Sequence, residues 1–565
     1  MSSNDLVEST VPAGTEPTSP VRGQPATVRR LDRAALVAVG LVTAGLAYRL
    51  FLILAGIPPT NSDESTMAMA AAHIVEGRHY PAFFYGDHYM GTLEAYLAAP
   101  LFALFGPSIV VLRLPLLALY AVFCHLMYAL TRRLYGRWFA VLVVGLLALG
   151  SDPVVRSEIF AGGGYPEIKP AAVGLLLMAV WLGTGDDRHT VRRILGFAGW
   201  GLVAGLALWS DVLIAPYVAA AGLVLVLGCR RELLGWPGVL LVLCLLVGTA
   251  PAIAHYLQPG VAEASLTKML TLSGGEDASI WSRIHGGVLL GVPLGTGLCA
   301  GSQCTGWPLV LGAAYPLLLL LAGCLAGAAL RRTTGAERIR QAGRLALVVG
   351  GALTLISYAQ SDAAGIYPTT SMRYLCPLLI CLPAVLWPAW SAAARLLDDR
   401  RTGRSTATSP AHPGGLRLAA GVAGGSLLAV VTLATVGATV AIGDLAPESR
   451  QALRTERELT VRLAELGVTR FYSEYWTCNW ISFATRERMV CATLGDDLRP
   501  GNDRYRPYRD LVTAAPDPAY VLPLGSPLDR AFAGRLQALG VTADVSEVAG
   551  YRIYRPHAPV DVPLR

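Results

Sequence analysis

Long apolar segments separated by short polar ones recur along the first 443 residues of the chain. A bilayer core is crossed by about 20 residues of α-helix, so each apolar segment of roughly this length predicts a membrane-spanning helix. The predicted spans are 34–56, 108–131, 137–150, 170–184, 192–208, 213–229, 234–250, 307–330, 343–360, 373–396 and 417–443. The pattern therefore predicts an all-α polytopic membrane protein with about 11 transmembrane helices.

Basic residues cluster between alternate predicted spans. With a cytoplasmic N-terminus, all of these clusters fall on the cytoplasmic side, as the positive-inside rule requires. The clusters are Arg29 with Arg30; Arg132, Arg133 and Arg137; Arg188, Arg192 and Arg193; Arg230 with Arg231; Arg331, Arg332, Arg338, Arg340 and Arg344; and Arg400, Arg401 and Arg404. One missed or added span would reverse every later loop. The sequence thus predicts a multi-pass plasma-membrane protein whose C-terminus is extracytoplasmic.

The two ends of the chain differ in texture from its apolar middle. Residues 1–31 are rich in Pro, Ser, Thr and Gly, which predicts a disordered cytoplasmic tail. Residues 32–443 form the predicted transmembrane domain, and its first span is interpreted as a retained signal anchor. Residues 444–565 alternate helix-like and strand-like stretches, which predict a small extracytoplasmic α/β domain.

Composition agrees with a membrane protein. Apolar residues make up 53% of the chain and charged residues only 15%, compared with about 25% in soluble domains. The mean hydropathy is +0.49. The net charge of +7 would suit a nucleic-acid partner, but the basic residues flank membrane spans. The predicted partner is therefore the lipid bilayer and not nucleic acid.

Four of the ten cysteines lie in predicted extracytoplasmic segments, where disulfides can persist. These are Cys299, Cys304, Cys478 and Cys491, and the sequence leaves open whether they pair. No CxxC motif or paired His spacing accompanies them, so no zinc site is predicted.

The run NSDESTMAM, which follows the first span, places Asp63 and Glu64 side by side at a membrane surface. Charged groups are costly inside the bilayer, so acids near membrane helices line a wet cavity or face water. The alternative is a solvated loop pair. The apolar positions of 67–74 recur at helical spacing, which predicts an amphipathic helix lying on the membrane surface.

The next loop, HYPAFFYGDHYMGTLEAY, combines aromatic and hydrogen-bonding side chains. Aromatic rings cover the apolar face of a sugar, and carboxylates accept hydrogen bonds from its hydroxyl groups. His88, Tyr89 and Glu94 are therefore candidate substrate-binding residues. The alternative is an interfacial aromatic belt.

The chain resembles the GT-C glycosyltransferases, the multi-span class that includes the family 39 protein mannosyltransferases and the lipid A aminoarabinose transferases. The resemblance covers about 34–396 and rests on the order of four segments. These are NSDESTMAMAAAHIVEGRHY, YGDHYMGTLEAYLAAPLFALFG, RLPLLALYAVFCHLMYALTRRLYGR and SMRYLCPLLICLP. In addition, the C-terminal run FYSEYWTCNWISFATRERMVCATL has a texture similar to that of actinobacterial members.

The resemblance implies a GT-C-like catalytic domain that transfers a sugar, by default mannose, from a polyprenyl-phosphate donor to an acceptor hydroxyl outside the cell. Inversion at the anomeric carbon is implied as well. Asp63 matches the general base of the family, and Glu64 matches a supporting acid that orients the acceptor or its partners. No cofactor and no metal are implied, although a divalent cation stays open because oxygen ligands are plentiful. The acceptor is unknown: a glycan, a protein or a secreted metabolite.

The second outer loop, SDPVVRSEIFAGGGYPEIKP, is where such enzymes keep further acids. Three acids compete there, and we favour Asp152 and Glu158 over Glu167 as substrate-binding residues, with Tyr165 as a sugar contact. The run Gly162–Gly164 allows close backbone approach or loop motion, and its alternative is an ordinary flexible turn.

Two further positions carry charge next to apolar runs. Asp211 separates two spans, which makes it a candidate substrate-binding residue, although an acid at a helix end that faces water is as reasonable. Arg373 opens the tenth span. A guanidinium group binds phosphate oxygens in a forked geometry, so Arg373 with Tyr374 is the candidate donor-phosphate site. Interfacial snorkelling is its alternative.

The competing function is transport, either as a lipid-linked sugar flippase or as a permease. Transporters place charges at mid-membrane and often show internal repeats, and the sequence shows neither. A glycan ligase or polymerase would share the lipid-linked donor. The acids of the first loop favour the glycosyltransferase.

Overall fold

The computed structural model describes residues 32–185, 191–261, 278–301, 304–401 and 414–560. The predicted tail, 1–31, lies outside the described residues. The helices are α1 Arg33–Leu54, α2 Ser62–Val75, α3 Leu93–Phe105, α4 Ile109–Leu134, α5 Arg137–Ala148, α6 Asp152–Ile159, α7 Tyr165–Thr184, α8 Val191–Ser210, α9 Ala215–Leu233, α10 Trp236–Tyr256, α11 Ile280–Ile284, α12 Gly291–Gly295, α13 Pro308–Arg332, α14 Gly335–Ala359, α15 Asp362–Ile366, α16 Pro368–Ser371, α17 Leu382–Arg401, α18 Gly414–Val440, α19 Ala446–Glu465, α20 Tyr475–Ala484, α21 Pro507–Thr513 and α22 Pro527–Leu539. Short 3₁₀ segments lie at Val212–Ile214, Met372–Leu379 and Ala441–Leu445, and a π-helical segment lies at His285–Leu290.

Nine helices in the described ranges are long and apolar enough to cross a membrane, and two bent pairs raise the number to eleven. The first pair is α5 with α6, bent by 92°, and the second joins Pro368–Leu379 to Leu382–Asp399 at 63°. Each of the eleven predicted spans overlaps one of these elements. The predicted polytopic all-α fold is therefore confirmed, with the third and tenth spans broken.

Basic side chains from separate helices meet at one end of the bundle. Asp32 lies 3.6 Å from Arg132 and 3.9 Å from Arg137. Arg344 donates a hydrogen bond to the carbonyl of Leu134 at 2.8 Å. We call this end the basic end. The side of the membrane on which it lies stays a prediction.

The C-terminal region, residues 446–560, contains a five-stranded sheet with the order β2-β1-β3-β5-β4. Its strands are β1 Arg470–Ser473, β2 Val490–Thr493, β3 Ala519–Pro523, β4 Ala543–Val548 and β5 Tyr551–Pro556. The strands β2, β1 and β3 are parallel, and β5 is antiparallel to both β3 and β4. The predicted mixture of helices and strands is thus present, and the carboxyl ends of the parallel strands share one edge.

Both of the cysteine pairs left open by the sequence form disulfides. Cys299 bonds Cys304, and Cys478 bonds Cys491 across a Cα–Cα distance of 5.1 Å. The second bond ties α20 to β2. It therefore fixes the helix against the outermost parallel strand of the sheet.

Helix α2 is present as predicted, but it is buried in the protein. The prediction that it lies exposed on the membrane surface is wrong. From Ser62 to His73 every residue except Asp63 is buried. The run from Ala70 to Ala72 carries only small side chains, so neighbouring elements can approach closely. The helix packs against α3, α4 and α20, and its polar face meets the C-terminal region instead of water.

Candidate functional site

Asp63 stands in the first turn of α2, at the end of the bundle opposite the basic end. The side chain of Asn61 caps the helix by accepting a hydrogen bond from the amide of Glu64 at 3.0 Å. A carboxylate in a first helical turn is stabilised by the helix dipole, typically by about 0.3–1 kcal/mol. The cap and the dipole together fix where the Asp63 side chain leaves the backbone.

The side chain of Asp63 is held by the C-terminal region. Its Oδ1 accepts hydrogen bonds from the Tyr475 hydroxyl and, at 3.1 Å, from Nη2 of Arg504. The same guanidinium donates through Nη1 to Asp87 and through Nε to the Tyr475 hydroxyl at 2.7 Å. Arg504 also lies 4.7 Å from the ring centroid of Phe84. One arginine therefore bridges two carboxylates from separate parts of the membrane domain.

Glu64 points away from this cluster. Its side chain is fully buried and forms a two-pronged ion pair with Arg113, at 2.7 and 2.6 Å. Its Oε1 also faces the amide of Ala161 at 3.4 Å. No described contact joins Glu64 to the cluster around Asp63, so the predicted role in orienting an acceptor has no direct support. Glu64 instead joins α2 to α4.

The aromatic loop that precedes α3 lines an open cleft together with the end of α10. His88 lies on this cleft, with its Nδ1 2.9 Å from Nε2 of His255. Asp87 lines the same cleft and reaches Arg504. Tyr89 interacts electrostatically with Asp87 of this cleft and with Arg373 of the predicted phosphate site.

Glu94 is fully buried in the first turn of α3, the helix that follows the aromatic loop. Its carboxylate faces the amides of Gly163 and Gly164 at 3.4 and 3.2 Å. Burial raises the pKa of the Glu94 carboxyl, and the neighbouring Glu167 raises it further. Glu167 in turn accepts a hydrogen bond from the Ser210 hydroxyl at 2.5 Å. The two glutamates form a buried acid pair, which places Glu94 below the open surface.

Asp211 lies between two spans and beside Gly164. Its Oδ1 accepts a hydrogen bond from the amide of Leu213 at 2.8 Å. Burial raises the pKa of the Asp211 carboxyl to about 7. A Cβ added to Gly164, whose φ is +91°, would come within 2.8 Å of the Cβ of Asp211. Gly164 therefore supplies close backbone approach, one of the two alternatives for the glycine run.

Arg373, Tyr374 and Tyr165 lie together. The guanidinium carbon of Arg373 is 5.9 Å from the Tyr165 ring centroid and 5.6 Å from that of Tyr374. The arginine side chain is exposed, and among the described residues it forms no ion pair. It also interacts electrostatically with Asp63. An exposed arginine without a carboxylate partner, held among tyrosines, is available to an anionic ligand.

A small apolar cavity lies further along the same segment. Leu379, seven residues after Met372 in the 3₁₀ segment, lines it. Most of its wall is aliphatic, and Thr296, Tyr315 and Thr435 also line it. A 3₁₀ segment rises about 2 Å per residue, so the cavity begins on the order of 12 Å from Arg373. The anion site and the apolar cavity thus follow one another along one element.

The two favoured acids of the second outer loop are not brought to Asp63. Asp152 pairs with Arg156 at 2.8 Å on its own helix. Glu158 is buried against Arg49 at 2.6 Å, so it ties the bent third span to the first. Neither carboxylate has a described contact with the cluster around Asp63.

The sequence does not predict three of the site residues: Tyr475, Arg504 and Asp87. Glu167 is the candidate acid of the second outer loop that the sequence analysis does not favour. Tyr475 and Arg504 lie more than 400 residues from Asp63 in the sequence, so no local pattern links them. Asp87 lies next to the predicted His88. Within the described ranges, no three His, Cys, Asp or Glu side chains are grouped to hold a metal ion.

Comparison with solved structures identifies the fold. The chain is similar to ArnT from Cupriavidus metallidurans bound to undecaprenyl phosphate, with 16% identity, a TM-score of 0.60 and coverage of 93% of this chain and 98% of that chain. ArnT in its apo state gives 16% identity, a TM-score of 0.57 and coverage of 92% and 98%. The chain is also similar to archaeal oligosaccharyltransferase AglB from Archaeoglobus fulgidus in complex with an inhibitory peptide and a dolichol-phosphate. Here the identity is 12%, the TM-score is 0.47, and the match covers 94% of this chain and 75% of that chain.

No protein-family model and no curated protein sequence matches the chain. The fold rests on the two ArnT structures, because a TM-score of 0.47 supports no further argument. The chain has the GT-C fold, as the sequence resemblance implies.

Proposed function

We propose that this chain is a membrane glycosyltransferase that moves a sugar, mannose by analogy, from a polyprenyl-phosphate donor to an acceptor hydroxyl at the extracytoplasmic face. The observation that carries the proposal is the environment of Asp63. Both hydrogen bonds that it accepts go to Oδ1, and among the described contacts none goes to Oδ2. A carboxylate with one oxygen fixed and the other free suits a general base.

The donor site is proposed at Arg373. A phosphate at this guanidinium would be ringed by Tyr165 and Tyr374. The apolar cavity that follows along the same segment suits an isoprenoid chain, because most of its wall is aliphatic. The ArnT structure with undecaprenyl phosphate has the same fold, which supports a lipid-phosphate donor here.

The acceptor site is proposed in the cleft beside Asp87 and His88. Its aromatic walls and its acid suit a polyhydroxylated acceptor. Tyr89 interacts electrostatically both with Asp87 on this cleft and with Arg373. An acceptor hydroxyl and a donor phosphate bound there would approach each other beside Asp63.

The chemical step follows from this arrangement. Oδ2 of Asp63 takes the proton of the acceptor hydroxyl, and the acceptor oxygen forms a bond to the anomeric carbon. The bond between that carbon and the phosphate oxygen breaks, and polyprenyl phosphate leaves with the electron pair. Arg373 stabilises the negative charge that grows on the phosphate. Attack opposite the leaving group inverts the anomeric carbon, and a positioned base contributes about 10²- to 10⁴-fold.

Deletion of the gene in its host tests the proposal. Envelope glycans, secreted proteins and metabolites are compared by mass spectrometry after complementation with wild type, Asp63→Asn or Asp497→Asn. Asp497 is 63% exposed and serves as the matched control. We expect loss of one hexose, restored by wild type and by Asp497→Asn but not by Asp63→Asn. Unchanged glycans with lipid-linked sugar accumulating inside the cell would replace the transferase with a flippase.

A further inference from the structure

The most unexpected contact is the hold that the C-terminal region keeps on Asp63. Both side chains that bond its Oδ1 belong to that region, 412 and 441 residues further along the chain. Asp63 and Arg504 are 14% and 11% exposed, so water competes weakly for this pair. The membrane domain therefore places the Asp63 backbone, and the C-terminal region places its carboxylate.

Tyr475 and Arg504 reach this position because of the sheet. Tyr475 opens α20 just after the carboxyl end of β1, and Arg504 follows β2, the parallel neighbour of β1. Carboxyl ends of parallel strands share one edge, where loops converge on ligands. Here that edge faces Asp63.

The loop that carries Arg504 is itself anchored on both sides. Asp503 accepts hydrogen bonds from the amide and the hydroxyl of Thr493 at 2.8 and 2.9 Å. On the membrane side, a Cβ added to Gly86 would lie 3.3 Å from the Cα of Arg504, and Gly86 has a φ of +77°. Ser62 also donates a hydrogen bond to the Tyr475 carbonyl at 2.6 Å. Residues of the C-terminal region and of the membrane domain thus both hold Arg504 and Tyr475 beside Asp63.

We infer that Arg504 and Tyr475 are positioning residues for Asp63, so that the C-terminal region completes the catalytic centre. They hold Oδ1, which turns Oδ2 toward the acceptor hydroxyl. The same guanidinium holds Asp87 on the acceptor cleft, so the base and the cleft are aligned by one group. This inference rests on the proposed transferase and adds residues that touch neither substrate.

The test compares Arg504→Gln, Arg504→Lys and Tyr475→Phe with Arg506→Gln. Arg506 lies two residues from Arg504, is exposed and forms no ion pair among the described residues, which makes it the matched control. Purified variants are assayed for transfer from polyprenyl-phosphate mannose to acceptor material from the deletion strain. Each variant is also assayed for binding of undecaprenyl phosphate and for its unfolding midpoint.

We expect kcat of Arg504→Gln to fall at least tenfold, with partial recovery in Arg504→Lys and unchanged KM for the donor. Tyr475→Phe removes one hydroxyl and should lower kcat severalfold in a folded protein, even where Arg504→Gln fails to fold. Wild-type kcat in both Arg504→Gln and Tyr475→Phe would overturn the inference. A lower unfolding midpoint with unchanged kcat in the folded fraction would do so as well. A wild-type protein that transfers nothing would instead refute the proposed function.

Discussion

Glu64 offers a sharp test because its sequence-predicted role and its place in the structure differ. The ion pair with Arg113 is 0% and 1% exposed, and it joins α2 to α4. If this pair only supports the site, Glu64→Gln should cost stability and leave the chemistry of folded molecules in place. The substitution keeps the shape of the side chain and removes its charge.

The magnitude follows from what the variant leaves behind. In Glu64→Gln, Arg113 would keep its hydrogen bond to the carbonyl of Pro58 at 3.1 Å and lose its ion pair with the Glu64 carboxylate. Removal of one partner from a buried ion pair costs about 3–5 kcal/mol, because the other charge stays buried without compensation. The Gln amide oxygen can still accept one hydrogen bond, so we expect a cost of about 3 kcal/mol.

A double-mutant cycle provides the assay. Glu64→Gln, Arg113→Gln and the double variant are unfolded by SDS titration in detergent micelles. The double variant should be more stable than Glu64→Gln alone, because no unpaired charge remains. Glu76→Gln, at the other end of α2 and 51% exposed in its pair with Arg78, is the control and should cost less than about 1 kcal/mol. A Glu64→Gln protein that unfolds like wild type but transfers no sugar would refute the structural role.

Three further predictions test other parts of the site. The raised pKa of Asp211, about 7, means that wild type loses stability as pH rises from about 4 to 7. Asp211→Asn should therefore gain up to about 4 kcal/mol over wild type above pH 7 and nothing at pH 4 in SDS unfolding, and a gain independent of pH would contradict this. Burial opposes ionisation of Glu487, but hydrogen bonds led by that from His73 lower its pKa to about 2. The advantage of wild type over Glu487→Gln, up to about 3 kcal/mol, should thus be lost as pH falls from about 4.5 toward 2, and a constant difference in unfolding midpoints would refute it. Arg373→Gln should weaken binding of undecaprenyl phosphate at least tenfold, whereas Arg283→Gln, whose partner Asp362 lies 2.5 Å away, should not; equal affinities would remove Arg373 from the donor site.

The membrane architecture could be predicted from sequence because hydrophobicity over about 20 residues is a local property. The break at 379–382 could not, since apolar residues run through it. The polar helix α6 falls in a predicted outer loop, and the sequence does not show that it packs back against α5 as a bent pair. The sequence predicts α2 as a helix but places it on a surface. Its polar positions meet the C-terminal region, and a sequence pattern does not distinguish burial against protein from exposure to water.

The site was only partly predictable for a related reason. Asp63 and Arg373 stand out as charges next to apolar runs, and the fold brings them within electrostatic range of each other. Glu158 stands out in the same way, but it is neutralised by Arg49 from another helix. Arg504 looks like any other arginine of the C-terminal region. Pairing across the fold decides which charges face the cavity, and no local pattern records that pairing.

The central claim is that Asp63 deprotonates the acceptor in an inverting transfer. The most direct measurement incubates purified protein with polyprenyl-phosphate mannose and with acceptor isolated from the deletion strain. The anomeric configuration of the product is then read by NMR. We predict that wild type adds one hexose with inverted configuration and that Asp63→Asn, folded and able to bind undecaprenyl phosphate, adds none above about one hundredth of the wild-type rate. Retained configuration, or transfer by Asp63→Asn at the wild-type rate, would contradict the claim.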